Sequence, residues 1–245
     1  MTERLDIRCA RELGESRARA AAMIAEGLVR VNGKTIQKAS HPVSETDIIE
    51  ADAGCPYVSR GGVKLAHALD CFAIDLTGAI CVDIGASTGG FTDCMLKRGA
   101  KSVLAVDVGK GQLHEKLLSD RRVTSLESTN IADLSATDMP VGLIFAAADV
   151  SFVSLTKLAP AIADILPANV TALFLVKPQF ELTRKQISKS GIVKDPKDRE
   201  KAVKSVKIAL AAAGFDIKGM VKSPITGGDG NVEYFLFATR CVLRH

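Results

Sequence analysis

Apolar residues along this chain follow one rhythm up to about residue 50 and another beyond it. In the first stretch Leu5, Ile7, Cys9 and Leu13 outline a short helix. Ser16 suits the N-cap of a second helix, Arg17 to Glu26, with Gly27 as its stop. Val29-Arg-Val31, Asn32-Gly33 and Lys34-Thr-Ile36 spell a hairpin with a type I′ turn, and Ile48-Ile49 marks a closing strand. Residues 1–50 thus read as a small α+β domain. A core drawn from about fifty residues is marginal, so packing on a neighbour or ligand is expected to support it. Residues 51–58, Ala-Asp-Ala-Gly-Cys-Pro-Tyr-Val, read as a linker to a second domain over 59–245.

In that second domain Ser59-Arg-Gly-Gly62 leads into a helix carrying Lys64, Leu65, Ala68 and Leu69. Strands are expected near 80–83, 102–107, 123–127, 143–149 and 171–177, and helices over 89–98, 112–119, 151–165 and 196–213. Such alternation predicts an α/β fold, a parallel sheet with helices on both faces. The last two apolar segments, 215–221 and 232–239, have no helix between them. They add an antiparallel terminal hairpin, which makes the sheet seven-stranded and mostly parallel.

Composition narrows the function classes. Hydrophobic residues are 47% of the 245 and charged residues 24%, an ordinary globular balance. The net charge of +4 is mildly basic and does not by itself name a nucleic-acid partner. Apolar runs fall short of the roughly 18 residues needed to span a bilayer, and Met1-Thr-Glu-Arg-Leu-Asp6 has no signal-peptide character. The six cysteines form no CxxC and read as reduced thiols of a cytoplasmic protein. The four histidines are scattered too, so no metal site is expected.

Four charges stand out against this apolar background. Asp149 ends the run Val141–Ala148, Lys177 ends Ala172–Val176, Glu233 interrupts Val232–Phe237, and Lys64 lies in the helix after the linker. Burying a lone charge costs several kcal/mol or more, so such groups need partners or do chemistry. The plain alternative is a pair of structural ion pairs pinning helix and hairpin to the sheet.

The strongest local motif is Cys81-Val-Asp83-Ile-Gly85-Ala-Ser-Thr-Gly89-Gly90-Phe-Thr92, a strand, a glycine turn and a helix start. It places a ligand at the carboxyl edge of the sheet beside a helix N-terminus. A P-loop would need Lys where Phe91 stands, and a dinucleotide fingerprint would need Gly where Ser87 stands. S-adenosylmethionine has no phosphates, so neither departure counts against it. Asp107 ends the second strand, where it can accept the ribose hydroxyls, and Asp149 ends the fourth on the same edge. The candidate cofactor residues are therefore Asp83, Gly85, Ser87, Gly89, Gly90, Asp107 and Asp149. The methyl donor is favoured over other nucleotides; a tight turn without ligand is the bland alternative.

Taken together, Asp83–Thr92, Val106-Asp-Val-Gly109, Asp149-Val-Ser-Phe152, Leu175-Val-Lys-Pro-Gln-Phe-Glu181 and Gly230-Asn-Val-Glu233 resemble the TlyA proteins. These are often labelled haemolysin A and belong to the FtsJ-like RNA ribose methyltransferases. Arg4-Leu-Asp6, Ser16-Arg17 and Val29-Arg-Val-Asn-Gly33 are similar to the S-four-type RNA-binding domain. The resemblance implies a class I, Rossmann-like methyltransferase that moves a methyl group from S-adenosylmethionine to a ribose 2′-hydroxyl of ribosomal RNA, usually cytidine. It also implies a Lys-Asp-Lys-Glu tetrad at Lys64, Asp149, Lys177 and Glu233, without substitution. Short-ended members of that family act on the large subunit, which is the subunit expected here.

The chemistry agrees with the carry-over. A ribose hydroxyl must lose its proton as it attacks a sulfonium methyl in line. Lys177 is the candidate central group, as a base or as a charge stabilising the forming alkoxide; the sequence leaves these two open. Asp149 and Glu233 would orient the lysines, and Lys64 would tune the site.

For RNA contact, residues 1–38 hold eight basic side chains against five acidic ones. Arg4, Arg8, Arg17, Arg19, Arg30 and Lys34 form a surface suited to phosphates. A second basic stretch includes Arg184, Lys185 and Lys189, in a loop expected to be mobile, and Arg60 is placed to bridge the two regions. The competing functions are a membrane-active haemolysin and a ribosome-assembly factor with an idle methyltransferase fold. Oligomeric state is open.

Overall fold

A computed structural model describes residues 2–14, 16–25, 27–51 and 55–241, apart from the Arg19 side chain. The chain divides into two compact units, residues 1–56 and 57–245.

In the first unit, strand β1 (Thr2–Arg4) runs into helix α1 (Leu5–Leu13), and helix α2 (Arg17–Ala25) follows. Leu5 and Cys9 are one helical turn apart and both fully buried, and Gly14 ends α1 with a left-handed φ of 67°. Strands β2 (Val29–Val31) and β3 (Lys34–Thr35) form the expected hairpin. Its turn residues Asn32 and Gly33 have φ of 51° and 77°, as a type I′ turn requires. Strands β4 (Pro42–Ser44) and β5 (Ile49–Ala51) complete the unit, with β5 paired to β2 and β4 to β1. The β1–β4 pair was not foreseen, because Thr2-Glu3-Arg4 has no apolar alternation to mark it. Leu5, Ile24, Val29 and Val43 meet in a small core.

The second unit opens with helix α3 (Arg60–Cys71). Tyr57 and Val58, read from the sequence as linker, are packed within this unit. A side chain at Gly62 would run into the Tyr57 ring, and the Val58 N–H donates to Asp93 at 2.9 Å. Then follow β6 (Ile80–Ile84), α4 (Gly90–Lys97), β7 (Ser102–Val106), α5 (Glu115–Leu118), β8 (Val123–Leu126) and β9 (Leu143–Ala148). The chain ends with α6 (Leu155–Ile165), β10 (Thr171–Val176), α7 (Pro178–Glu181), α8 (Pro196–Ala212), β11 (Phe215–Lys222) and β12 (Tyr234–Arg240).

These strands form the expected seven-stranded sheet, in the order β11-β12-β10-β9-β6-β7-β8. From β10 to β8 all pairs are parallel, while β12 lies antiparallel between β10 and β11. Both faces are covered, and so inner strands such as β9 and β10 read as near-continuous apolar runs rather than alternating ones. Along β10, Leu173 and Leu175 join the core beneath α3 and α4, whereas Phe174 and Val176 join the core beneath α6 and α8.

The chain leaves β6 towards β7 and β8, then returns to β9 on the other side of β6. A crevice opens where strand order reverses, at the carboxyl ends. Gly85 sits there with φ of 84°, and a Cβ on it would lie 2.4 Å from the Asp149 carbonyl oxygen. Both the dihedral and the backbone contact require glycine. Gly85→Ala is expected to cost about 1–3 kcal/mol of unfolding free energy. A urea midpoint equal to wild type would contradict this close approach.

Candidate active site

The four strand ends β6, β7, β8 and β9 send loops into one cavity of about 510 Å³. That volume is within the range of small-molecule pockets. The β6 loop contributes Gly85 and Ser87, the β7 loop Asp107 to Gly109, and the β9 loop Asp149 to Val153. The β8 loop adds Thr129, Asn130 and Ile131, which the sequence reading did not include. Their signal was position alone: they follow the third parallel strand, at the edge where ligands bind.

Hydrogen bonds shape these walls. The Asp107 carboxylate accepts from Ser87 N–H at 2.8 Å through Oδ2 and from Gly109 N–H at 2.6 Å through Oδ1. Glu127 accepts the N–H groups of Gly111 and Gln112 at 2.8 and 3.0 Å, which steadies the loop after Asp107. Gly89 and Gly90 do not line the cavity. A Cβ at Gly89 would meet Leu117, and one at Gly90 would meet Ser59 and the Gly62 backbone. Both glycines let the start of α4 pack closely.

Asp83 lies one residue before the wall residue Ile84 and is fully buried. Its Oδ2 accepts from Thr92 Oγ1 at 2.6 Å, and its Oδ1 has no partner among the described residues. Burial pushes its pKa up to about 7, opposed by the Thr92 hydrogen bond and reinforced by the negative charges of Asp149 and Asp107. Two carboxyl groups in the cavity wall, Asp107 and Asp149, suit a ligand carrying positive charge. S-adenosylmethionine carries an ammonium and a sulfonium, so the residues fit it.

The four charges singled out in the sequence form two ion pairs. Lys64, on α3, reaches Glu233 with Nζ 2.6 Å from Oε2, and both side chains are buried. Lys177, just past β10, has its Nζ 2.6 Å from Asp149 Oδ1 and donates to Ser151 Oγ, also at 2.6 Å. The Asp149 contact is a charge contact rather than a directed hydrogen bond. Register brings the two pairs to one edge: Val176 faces Tyr234 across β10 and β12, and Lys177 and Glu233 each lie one residue beyond that couple. Asp149 and Ser151 belong to the cavity wall, so the Lys177 pair adjoins the cavity. Sequence reasoning missed Ser151, and it also missed Gly227, where a Cβ would come within 2.5 Å of Glu233 Oε1.

The basic residues fall into three groups. In the first unit Arg4 and Arg17 bond to Asp6, Arg8 bonds to Glu12 and to the Ser44 carbonyl, and Arg30 and Lys34 are exposed. Arg19 lies in α2, with its side chain outside the described residues. In the second unit Arg60 donates to the Thr226 carbonyl at 2.7 Å. Arg184, Lys185 and Lys189 are exposed on a loop expected from sequence to be mobile, but that loop is anchored. Gln186 donates to Asp198 at 2.6 Å, and the buried Asn231 both accepts from Val193 N–H and donates to the Gly191 carbonyl, each at 2.9 Å. Among the described residues there is no acidic, histidine or cysteine cluster fit for a metal, and no helix is long and apolar enough to cross a membrane.

A seven-stranded sheet in this order, with a cavity at the switch point, is the fold of a class I methyltransferase domain. Residues 57–240 match the FtsJ-like methyltransferase family, and residues 3–49 match the S4 domain. Hemolysin A of Brachyspira hyodysenteriae is 43% identical over 224 residues, covering 90% of this chain and 92% of that protein. The 16S/23S rRNA (cytidine-2′-O)-methyltransferase TlyA of Mycobacterium tuberculosis is 41% identical over 229 residues, 93% of this chain and 85% of that one. A solved structure from Streptococcus thermophilus, described as a candidate hemolysin, is 41% identical with a TM-score of 0.77, covering 98% of this chain and 89% of that one. The chain belongs to the TlyA group of the FtsJ-like methyltransferase family.

Folded Asp83 keeps its proton to about pH 7, whereas an unfolded aspartate loses it near 3.8. The folded state therefore binds more protons between those values, and stability falls as pH rises through the window. Melting temperatures of cofactor-free protein are expected to drop between about pH 5 and about pH 8, and Asp83→Asn to flatten that drop. A wild-type profile that is flat or rising across this window would count against the buried carboxyl.

Proposed function

We propose that this chain methylates the ribose 2′-hydroxyl of a cytidine in ribosomal RNA, with the large subunit as substrate. The observation that carries the reading is Lys177, held by Asp149 and Ser151 where the cofactor cavity opens. The names of the M. tuberculosis relative support the choice of rRNA, cytidine and 2′-oxygen. The S4 domain match supports RNA as the partner.

When bound, S-adenosylmethionine would supply an electrophilic methyl group on a sulfonium sulfur, which would leave as the neutral thioether. Asp83, Gly85, Ser87, Asp107 and Asp149 are the residues assigned to hold it. Gly89 and Gly90 shape the turn that carries Gly85 and Ser87. The hydroxyl proton must leave as the O–C bond forms, and Lys177 is the group assigned to face that oxygen. If neutral, it takes the proton itself; as an ammonium, it offsets the charge growing on oxygen while Asp149 accepts the proton. Lys64 and Glu233 hold each other in a buried pair beside this site, so that the Lys177 edge of β10 keeps a fixed shape. Breaking such a pair by deleting one partner leaves an uncompensated buried charge.

Arg4, Arg17, Arg30 and Lys34 of the first unit, with Arg60, Arg184, Lys185 and Lys189 of the second, are assigned to RNA phosphates. Arg8 and Arg19 share the same basic stretch of sequence; Arg8 is committed to protein partners. Phosphate contacts of this kind make RNA affinity fall steeply with salt.

Lys177→Ala is expected to leave S-adenosylmethionine binding, read by calorimetry, close to wild type. Its single-turnover methyl transfer to unmethylated large subunits should fall at least about a hundredfold. Near-normal turnover in that variant would remove Lys177 from the reaction.

A further inference from the structure

The basic residues of the first unit are not equivalent. Arg8 and Arg11 are matched by Glu12 and Glu3, carboxylates on the surface of the unit. Asp6 behaves differently: its carboxyl side chain is only 5% exposed, yet it serves two arginines. Arg4 binds it in a fork, Nε to Oδ1 at 2.9 Å and Nη2 to Oδ2 at 3.0 Å. Arg17 comes from α2 and donates from Nε to the same Oδ2 at 2.9 Å. The Ile7 N–H takes up Oδ1 at 3.1 Å, which fixes the carboxylate on the first turn of α1.

Both guanidiniums nevertheless remain open to solvent, at 48% exposure for the Arg4 side chain and 58% for Arg17. Arg4 Nη1 and both Arg17 Nη atoms are not used by Asp6. Two planar forks therefore share the Asp6 Oδ2, and each keeps Nη donors that Asp6 does not use. Two cations less one anion leave the cluster with a surplus positive charge. The guanidinium contacts also hold the Asp6 pKa down at about 2, against its burial, so the anchor stays ionised.

We propose that Arg4 and Arg17 form a preorganised clip for an RNA phosphodiester, with Asp6 as the positioning residue that sets both forks before RNA arrives. Guanidinium forks match phosphate oxygens in pairs. Ordering two long side chains in the free protein removes an entropy cost that binding would otherwise carry. The inference rests on the reading of the first unit as an RNA-binding domain and adds the residue that organises it.

The sign of one substitution separates positioning from plain electrostatics. Asp6→Asn makes the protein more positive by one charge. Charge alone then predicts tighter binding and a steeper salt slope. The clip predicts the reverse, about tenfold weaker binding with a shallower slope. Binding of the full-length protein to a large-subunit rRNA transcript is measured for wild type, Asp6→Asn, the Arg4→Ala/Arg17→Ala double variant and the triple variant. Asp6→Asn is expected to weaken binding in the wild-type background and to have no such effect once both arginines are gone. Tighter or unchanged binding by Asp6→Asn overturns the proposal. So does an equal loss in both backgrounds, which would mean that Asp6 acts through folding. Arg17→Lys keeps the charge at an exposed position but loses the fork, so it guards against a misfolded Asp6 variant. It should lose most of what Arg17→Ala loses, and full retention of affinity overturns the clip. If the arginine double variant binds RNA like wild type, the RNA-binding reading of the first unit falls and the clip falls with it.

Discussion

The antiparallel insertion of β12 beside β10 is the contact on which the meeting of the four charges depends. Parallel strands alone would carry Asp149 and Lys177 to the carboxyl edge, but not Glu233. Because β12 runs the opposite way, the residue that precedes it arrives at the same edge that Lys177 leaves. Lys64 then reaches Glu233 from α3, across a sequence separation of 169 residues. Each ion pair supplies the compensation that its buried partner needs. A Gly at 227 makes room for the Glu233 carboxylate. The arrangement is both a staple between helix, hairpin and sheet and the proposed reaction centre. The structural and the chemical readings of these charges are thus compatible rather than rival.

Around the switch-point cavity the same economy of position recurs. Asp83, Asp107 and Asp149 follow from three parallel strands, and they gather negative charge at one place. Asp107 is held by two backbone N–H groups, Asp149 by Lys177, and Asp83 by one threonine that leaves an oxygen over. Burial raises the Asp83 pKa by more than the Thr92 hydrogen bond offsets.

In the first unit the count of charges and their geometry describe different things. Eight basic residues against five acidic ones describe a mildly positive surface. In the structure most of the early arginines are tied to carboxylates, so net charge says little about which of them meets RNA. The distinction lies in burial: an anion sunk beneath the surface can hold two cations without cancelling either one's outer edge. Arg30 and Lys34, by contrast, sit on strands of the hairpin whose turn was plain from Asn32-Gly33.

Sequence by itself determined the α/β alternation, the terminal hairpin, the glycine turn after Asp83 and the identity of the four charges, because each rests on local periodicity, turn chemistry or a charge set against an apolar run. It could not pair Lys64 with Glu233 or Lys177 with Asp149, since either lysine could have met either carboxylate. The partners Ser151 and Gly227, the Thr129–Ile131 wall, the β1–β4 pairing and the Asp6 anchor were likewise decided by tertiary structure. Each of these depends on strand order, register or burial, and those are set by contacts between residues far apart along the chain.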